Sequence, residues 1–248
     1  MKKLMAANWK MYKTRAEAGD TATSLAKTAL PEDREVLVFA PFTTLDRVAA
    51  AFAGVKGFAV GGQDVYPAKE GAFTGEISPG MLADAGATWA LTGHSERRHV
   101  LGEPNSFVGE KTSYCLEQGL NVVLCVGETL EEREEGRLES VMEEQLLIGL
   151  SGVAKDVPAD RLAVAYEPVW AIGTGKVAGP AEILAAHAFV RARLVEIFPK
   201  NGSQIRILYG GSVKPENCAE IIALDNVDGV LVGGASLQAE SFGRIVSA

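Results

Sequence analysis

The stretch LMAANWK, residues 4 to 10, decides between the two folds that the sequence allows. Its continuous apolar residues predict a strand covered on both faces, as in a parallel sheet. An open, doubly wound sheet would carry a glycine-rich fingerprint directly after this first strand. The chain has Asn8-Trp9-Lys10 there instead. We therefore favour a closed barrel of parallel strands over the open sheet.

The rest of the chain alternates apolar runs with stretches of helical periodicity. Pro180 stands where a helix would begin, and Gly119 and Gly202 stand where helices would end. Because no Ser/Gly linker or change of composition divides the chain, we expect residues 1–248 to form one domain, a single (β/α)₈ barrel. The predicted strands are LMAAN (4–8), VLVFA (36–40), FAVGGQ (58–63), TWALTG (88–93), NVVLCVG (121–127), RLAVAYE (161–167), IRILYGG (205–211) and GVLVGG (229–234).

The composition argues against several classes of partner. A net charge of −8 disfavours a nucleic-acid interface or an anionic-membrane surface, because both need clustered Lys and Arg. No apolar run approaches the length of a membrane span, and the N-terminus lacks a signal-peptide core, so we expect a cytoplasmic protein. The three cysteines have no C-x-x-C spacing, which predicts free thiols and no zinc site. A small anionic ligand is compatible with all of this, since a few N–H groups can bind a phosphate.

Polar residues stand at the carboxyl ends of the predicted strands, where barrel enzymes build their sites. Glu167 ends an apolar strand, and burial there would raise its pKa towards that of a general base. The alternative for Glu167 is a carboxylate that caps a helix or forms a salt bridge. Lys10 follows the first strand and would offer a positive charge to an oxyanion or a phosphate. Its alternative is a solvated surface lysine.

His94 lies just after a strand, at the apparent start of a short helix. A helix N-terminus disfavours the imidazolium, so His94 would act as a neutral hydrogen-bond donor. Its alternative is an ordinary, satisfied polar contact. Because His99 follows at a spacing that matches no metal motif, we expect no metal site. Glu96 either pairs with Lys10 and orients the site or belongs to a solvated helix start.

Two glycine pairs predict where a phosphate binds. YGGSV (209–213) and VGGASL (232–237) follow the seventh and eighth strands, the usual phosphate position of a barrel. A nucleotide-binding P-loop at AYEPVWAIGTGK (165–176) is excluded, because Trp170 and Val177 replace the glycine and the hydroxyl that it needs. The predicted ligand is a phosphorylated small molecule.

Taken together, these motifs closely resemble the triosephosphate isomerase family over essentially the whole chain. The resemblance implies a (β/α)₈ TIM barrel and an isomerase of glycolysis and gluconeogenesis. It would interconvert dihydroxyacetone phosphate and D-glyceraldehyde 3-phosphate through an enediol(ate), without a metal or organic cofactor. The motifs are NWK (8–10), TGHSERR (92–98), CVGE (125–128), AYEPVWAIGTGK (165–176), YGGSV (209–213) and DGVLVGGASL (228–237).

The resemblance also implies roles for individual residues. Glu167 would move the proton, and His94 would hydrogen-bond the oxygens of the intermediate. Lys10 and Asn8 would stabilise its negative charge, with Glu96 supporting them. The substrate phosphate would bind the N–H groups of Gly173, Ser212, Gly233 and Gly234.

A lid over the phosphate is a further implication of the resemblance. It would shield the intermediate from water. Lys176 is followed by Val177-Ala178-Gly179 in place of an expected small polar hinge, which leaves the kinetics of the hinge open but not the chemistry. The lid residues would be Pro168, Val169, Trp170, Ala171, Ile172, Gly173, Thr174, Gly175 and Lys176.

The long loop QDVYPAKEGAFTGEIS (63–78) implies a homodimer by the same resemblance. Loops of this length in compact domains are usually functional. In the family the matching loop reaches a second subunit, which would bring Thr74 close to the partner subunit's Asn8 and Lys10. The alternative is a mobile surface loop.

The amino-acid sequence alone leaves two other classes of function open. Another phosphosugar barrel enzyme is one, but a Schiff-base aldolase would need a lysine in place of Glu167, and a metal-dependent epimerase would need a ligand set that is missing. A non-catalytic phosphate-binding barrel is the other. It would tolerate the loss of Glu167 or His94, yet both are present.

Overall fold

The computed structural model describes residues 1–172 and 178–248. Within them, eight parallel strands form a closed barrel in chain order, with β8 paired to β1. The prediction of a barrel is confirmed, and the open sheet is excluded. The strands are β1 (Lys3–Asn8), β2 (Arg34–Ala40), β3 (Phe58–Gly62), β4 (Trp89–Thr92), β5 (Asn121–Val126), β6 (Leu162–Tyr166), β7 (Arg206–Tyr209) and β8 (Gly229–Val232).

Helices follow the strands and cover the outside of the barrel. Pro180 is the first residue of its helix, as predicted. Gly119 follows the end of another helix with φ +92°, a conformation that suits glycine. Gly202 lies five residues beyond the nearest helix end, where its N–H closes a further turn onto the Phe198 carbonyl. The α-helices are α1 (Arg15–Leu25), α2 (Leu45–Phe52), α3 (Pro79–Asp84), α4 (Ser95–His99), α5 (Asn105–Glu117), α6 (Leu130–Glu134), α7 (Leu138–Gly149), α8 (Pro180–Ile197), α9 (Cys218–Ile222) and α10 (Ala239–Val246).

The core has two layers because successive strand residues point to opposite faces. Leu4, Phe39 and Leu208 belong to the layer that fills the barrel. Met5 and Val38 belong to the larger layer between the sheet and the helices. Burial on both faces explains why the strands are continuously apolar in sequence. The predicted free thiols are found, and all are buried: Cys115, Cys125 and Cys218.

Gly127 allows two strands to end close together beside the site. A Cβ atom at this position would lie 1.8 Å from the Glu167 carbonyl oxygen. The buried amide of Gln145 donates to the Gly127 carbonyl and accepts from the Gly127 N–H. The backbone at Glu167 is therefore held by direct contact with the end of β5.

Candidate active site

A cavity of about 300 Å³ lies at the carboxyl ends of the strands. It is the position that the sequence predicted, since parallel strands of a barrel end at one face. The loops after β1, β4, β7 and β8 meet around it, together with Ala171 and Ile172 of the predicted lid. Its lining includes the predicted residues Asn8, Lys10, His94, Ser212, Gly233 and Gly234.

Glu167 lies directly after β6 and is only 2% exposed. Its Oε2 accepts the backbone N–H of Ser95 at 2.9 Å, and its Oε1 lies 3.0 Å from His94 Nε2. The Ser95 hydroxyl is 3.4 Å from Oε1. The carboxylate is therefore bound at the start of α4. Ser95 was missed in the sequence analysis, although its place at a helix start signals a free N–H.

His94 is buried, and its hydrogen bonds determine which ring nitrogen carries the proton. Nδ1 lies 3.2 Å from the backbone N–H of Glu96 and accepts it. The proton of a neutral ring therefore sits on Nε2, which donates to Glu167. This arrangement makes His94 a hydrogen-bond donor at a helix N-terminus, and the neutral state of the ring stays a prediction.

The pKa values of Glu167 and His94 are coupled through this contact. Burial raises the pKa of Glu167, but His94, the Ser95 N–H and Lys10 outweigh burial, and the net shift is downward. The raised pKa expected from burial is therefore wrong for this arrangement. Burial lowers the pKa of His94, and the Glu167 carboxylate more than compensates, so its net shift is upward while the two groups touch. The lowered pKa favours the ionised carboxylate in this position and makes it a weaker base there than a free carboxylate.

Lys10 occupies a constrained position at the edge of the cavity. Its Nζ lies 2.7 Å from Glu96 Oε1, so the predicted pair is present. The backbone of Lys10 has φ +49°, a left-handed value that is unusual for a non-glycine residue. Asn8 Oδ1 accepts the Lys10 N–H, and the Gln63 amide donates to the Lys10 carbonyl at 2.9 Å. Gln63 was not predicted, because 53 residues separate it from its partner.

The glycine pairs leave space where side chains would intrude. A Cβ atom at Gly210 would lie 2.9 Å from Glu167 Cγ, so this glycine makes room for the carboxylate. A Cβ atom at Gly233 would lie 3.4 Å from Lys10 Cε. Lys10 is therefore packed against the second glycine pair, between that pair and Glu96.

The first part of the predicted lid is anchored to the barrel. Val169–Ala171 form a 3₁₀ turn, and the buried Trp170 donates through Nε1 to Glu128 Oε1 at 2.7 Å. The Tyr166 hydroxyl donates to the same oxygen. Glu128 lies in the quoted motif CVGE but received no role from the sequence. Ala171 and Ile172 reach the cavity lining.

The remaining lid predictions lie outside the described residues. These are the predictions for Gly173, Thr174, Gly175 and Lys176, and for the first hinge residue, Val177. Of the other two hinge residues, Ala178 is buried, and Gly179 donates its N–H to Glu182 at the start of α8.

Thr74 lies in an exposed loop. The rings of Tyr66 and Phe73 stack in this loop with centroids 4.3 Å apart, and Phe73 remains 41% exposed. Met11 and Tyr12, on the loop after β1, are also exposed. Exposed apolar side chains of this size mark interaction surfaces when they cluster.

His187 of α8 is fully buried behind the site and packs edge-on against Tyr166, with ring centroids 6.0 Å apart. Its Nδ1 lies 2.9 Å from the Asn226 carbonyl, so Nδ1 carries the proton and donates. The other ring nitrogen, Nε2, is buried without a hydrogen-bond partner among the described residues. A second proton would therefore be buried unpaired, and burial lowers the pKa of His187 to about 4.

This buried histidine predicts a loss of stability in mild acid. The pKa rises from about 4 in the folded chain to 6.5 when unfolded, so stability is complete above pH 6.5 and falls as the pH drops towards 4. The loss reaches about 3 kcal/mol of unfolding free energy. Urea unfolding at pH 7.5 and pH 4.5 measures it. His187→Asn keeps a donor for Asn226 and should flatten this pH dependence; an unchanged slope in that variant would contradict the assignment.

Metal-binding clusters and membrane-spanning helices are both absent among the described residues. No group of His, Cys, Asp and Glu side chains among them is arranged to hold a metal ion. None of the described helices is long and apolar enough to cross a membrane.

The fold and the site define a class of protein, a barrel enzyme with a carboxylate–imidazole pair beside a glycine-lined pocket. Residues 3–248 match the family model described as triosephosphate isomerase. The chain belongs to the triosephosphate isomerase family.

Curated relatives agree with the family model. A triosephosphate isomerase of Oleidesulfovibrio alaskensis is 68% identical over 250 residues, which cover 100% of both chains. One from Nitratidesulfovibrio vulgaris strain Miyazaki F is 66% identical over 251 residues, again 100% of both. The Aquifex aeolicus protein of the same name is 45% identical and covers 99% of each chain. The match to these relatives therefore extends over the whole barrel.

Proposed function

We propose that the cavity at the carboxyl ends of the strands is the place where this chain interconverts dihydroxyacetone phosphate and D-glyceraldehyde 3-phosphate. The isomerase activity, a step of glycolysis, follows from the family to which the whole chain belongs. The observation that carries the choice of site is the 3.0 Å contact between Glu167 and His94 at the edge of the cavity. A base and a hydrogen-bond donor side by side are what proton transfer next to a carbonyl needs.

Glu167 is the proposed base. It has to leave Ser95 to reach a substrate, because in its present position it does not line the cavity. Gly210 offers the space for this movement. The carboxylate then takes a proton from the hydroxyl-bearing carbon next to the carbonyl and returns it to the former carbonyl carbon. The hydroxyl proton passes from the first oxygen to the former carbonyl oxygen, and the ketone is thereby converted to an aldehyde.

His94 is the proposed donor to the oxygens of the enediol(ate). Once Glu167 turns to the substrate, the Nε2–H of His94 is released from the carboxylate. When the Glu167 carboxylate has moved away, burial and the Glu96 N–H on Nδ1 favour the neutral ring, while the Glu96 carboxylate, 3.6 Å from Nδ1, opposes them. A neutral imidazole still carries a proton on Nε2, so it can donate a hydrogen bond to a developing oxyanion.

Other residues of the cavity lining stabilise the charge and bind the phosphate in this proposal. Lys10 and Asn8 stabilise the negative charge of the intermediate in this proposal, and Glu96 orients Lys10. Residues 168–176 act as the lid that excludes water. These steps use no metal and no organic cofactor. The phosphate binds the N–H groups of Gly173, Ser212, Gly233 and Gly234.

A coupled assay on the purified protein tests the function. Dihydroxyacetone phosphate is supplied, and glyceraldehyde 3-phosphate is followed through a dehydrogenase. In D₂O the product should carry deuterium at the carbon next to the aldehyde, because the abstracted proton exchanges with solvent. Absence of turnover, or turnover without any solvent deuterium, would count against the proposed proton transfer through a carboxylate.

We further propose that residues 1–248 act as one domain in a cytoplasmic homodimer. The single closed barrel and the family match over residues 3–248 support the single domain. Exposed apolar side chains on the 63–78 loop and on the loop after β1 support a second subunit there. The cytoplasmic location rests on the place of the family in glycolysis.

Thr74→Arg should weaken this dimer. A bulky cation at a packed contact would have to be buried without a partner, which should raise the dissociation constant roughly 100-fold or more. Sedimentation velocity across a dilution series measures the change. Thr23→Arg places the same side chain on an exposed position of α1 and should leave the dimer unaltered. If Thr74→Arg sediments as the unmodified protein does, the loop lies outside the interface.

A further inference from the structure

Lys13 stands out in the loop after β1 because its backbone is in a disfavoured conformation. Its φ is +77°, and Lys10 in the same loop has φ +49°. Left-handed backbone at a residue other than glycine persists only where surrounding contacts hold it. Neither the sequence motifs nor the proposed mechanism gives Lys13 a role.

The side chain of Lys13 reaches across to the loop after β8. Its Nζ donates to the Leu237 carbonyl at 2.7 Å and to Thr21 Oγ1 at 2.9 Å. The ammonium also lies 5.1 Å from the centroid of the Trp9 ring, a cation–π contact. Lys13 is half-buried. A cation with two oxygen partners and an aromatic face is held in one place, unlike a solvated lysine.

Leu237 directly follows the 3₁₀ turn Gly234–Ser236, whose first residues line the cavity. The Leu237 N–H bonds to the Gly234 carbonyl, which closes that turn. Lys13 therefore binds the carboxyl end of the turn while the amino end faces the proposed phosphate position. A cation at the carboxyl end matches the direction of the peptide dipoles.

Trp9 supplies a second hydrogen bond between the loop after β1 and the loop after β8. Its Nε1 donates to the Ser236 carbonyl at 3.1 Å, and the ring is fully buried. Ser236 Oγ in turn donates to the Gly233 carbonyl at 2.7 Å. In the sequence, Lys10 lies between Trp9 and Lys13, the residues that make these two hydrogen bonds, and it packs against Gly233. The position of the Lys10 ammonium relative to the glycine pair thus depends on how the two loops are joined.

We propose that Lys13 is a positioning residue for the phosphate subsite. By binding the Leu237 carbonyl, it holds the 233–237 turn and the Lys10 loop in one geometry. This inference rests on the proposed function, because it takes the glycine pair as the phosphate site. Lys13 itself does not line the cavity and acts only through the turn.

The test compares Lys13→Met, which keeps the length of the side chain and removes the ammonium, with Lys13→Arg, which keeps the donors. For Lys13→Met we expect KM for dihydroxyacetone phosphate to rise about tenfold, with kcat within about threefold. The inhibition constant and the calorimetric dissociation constant of inorganic phosphate should rise by the same factor. Lys13→Arg should restore most of both. Lys27→Met, at an exposed lysine shortly after α1, is the matched control and should change neither.

A merely structural role would give a different result. If Lys13→Met lowers only the thermal midpoint and leaves KM and phosphate binding unchanged, the proposal is overturned. A fall in kcat without weaker phosphate binding overturns it as well. If Lys13→Met does not fold, Thr21→Val removes one of the two oxygen partners and should shift phosphate binding in the same direction. Failure of the proposed function can be distinguished from failure of the Lys13 proposal, because it appears as absent turnover in the unmodified protein.

Discussion

Glu167→Gln should lower kcat by on the order of 10²-fold to 10⁴-fold. An amide oxygen has almost no capacity to accept a proton, so the step that the carboxylate performs loses its base. The protein should still bind substrate, because the proposed phosphate subsite is formed by backbone groups and the Glu167 side chain does not line the cavity. We therefore expect KM to change much less than kcat, which identifies an interaction made in the transition state. The coupled assay for glyceraldehyde 3-phosphate gives both constants.

The structure suggests two controls for this experiment. Two donors, the Ser95 N–H and the His94 Nε2–H, face the carboxylate, and an amide can accept only through its one oxygen. Glu167→Gln should thus lose some stability too, so its thermal midpoint must be measured. Glu240→Gln makes the same exchange at an exposed position of α10 and should leave kcat unaltered. A Glu167→Gln protein that folds and turns over at nearly the original rate would exclude Glu167 as the base.

The barrel was predictable from sequence for a physical reason. Strands covered on both faces need continuous apolar runs, and the ends of several such runs carried the polar or glycine-rich residues. A barrel brings all those ends to one face, so His94 and Glu167 were expected to meet although they are 73 positions apart in the chain. Their contact in the structure follows from the parallel pairing of β4 with β5 and of β5 with β6.

What the sequence could not predict depends on contacts across the closed barrel. Burial of Glu167 was foreseeable, but the downward shift of its pKa needs the positions of His94 and the Ser95 N–H. Gln63 and Lys13 hold the Lys10 loop through partners 53 and 224 residues away. Nothing in the local pattern distinguishes such a lysine or glutamine from a solvated one. The Lys13 pairing needs the last strand to join the first, and the Gln63 pairing needs β1, β2 and β3 to lie side by side.

His94→Gln is expected to lower kcat by roughly 10²-fold to 10³-fold, the scale for loss of one donor to a developing oxyanion. The glutamine amide can place an N–H near the position of Nε2, so charge and approximate shape are retained. Glutamine has no counterpart of the ring nitrogen Nδ1, which accepts the Glu96 N–H in the unmodified protein. That hydrogen bond orients the donor, and the variant loses it. The expected deficit therefore reflects lost orientation at the oxygens of the intermediate.

The His94→Ala variant completes the comparison. It removes the donor altogether and should be at least as slow as His94→Gln, with inorganic phosphate still bound at the glycine pair. Because the imidazole also holds Glu167 in its resting place, both variants should free the carboxylate from that contact. If easier release of the base were the dominant effect, kcat would rise. A kcat equal to or above that of the unmodified protein would mean that His94 only anchors Glu167, and the donor to the intermediate would then have to be sought among Asn8 and Lys10.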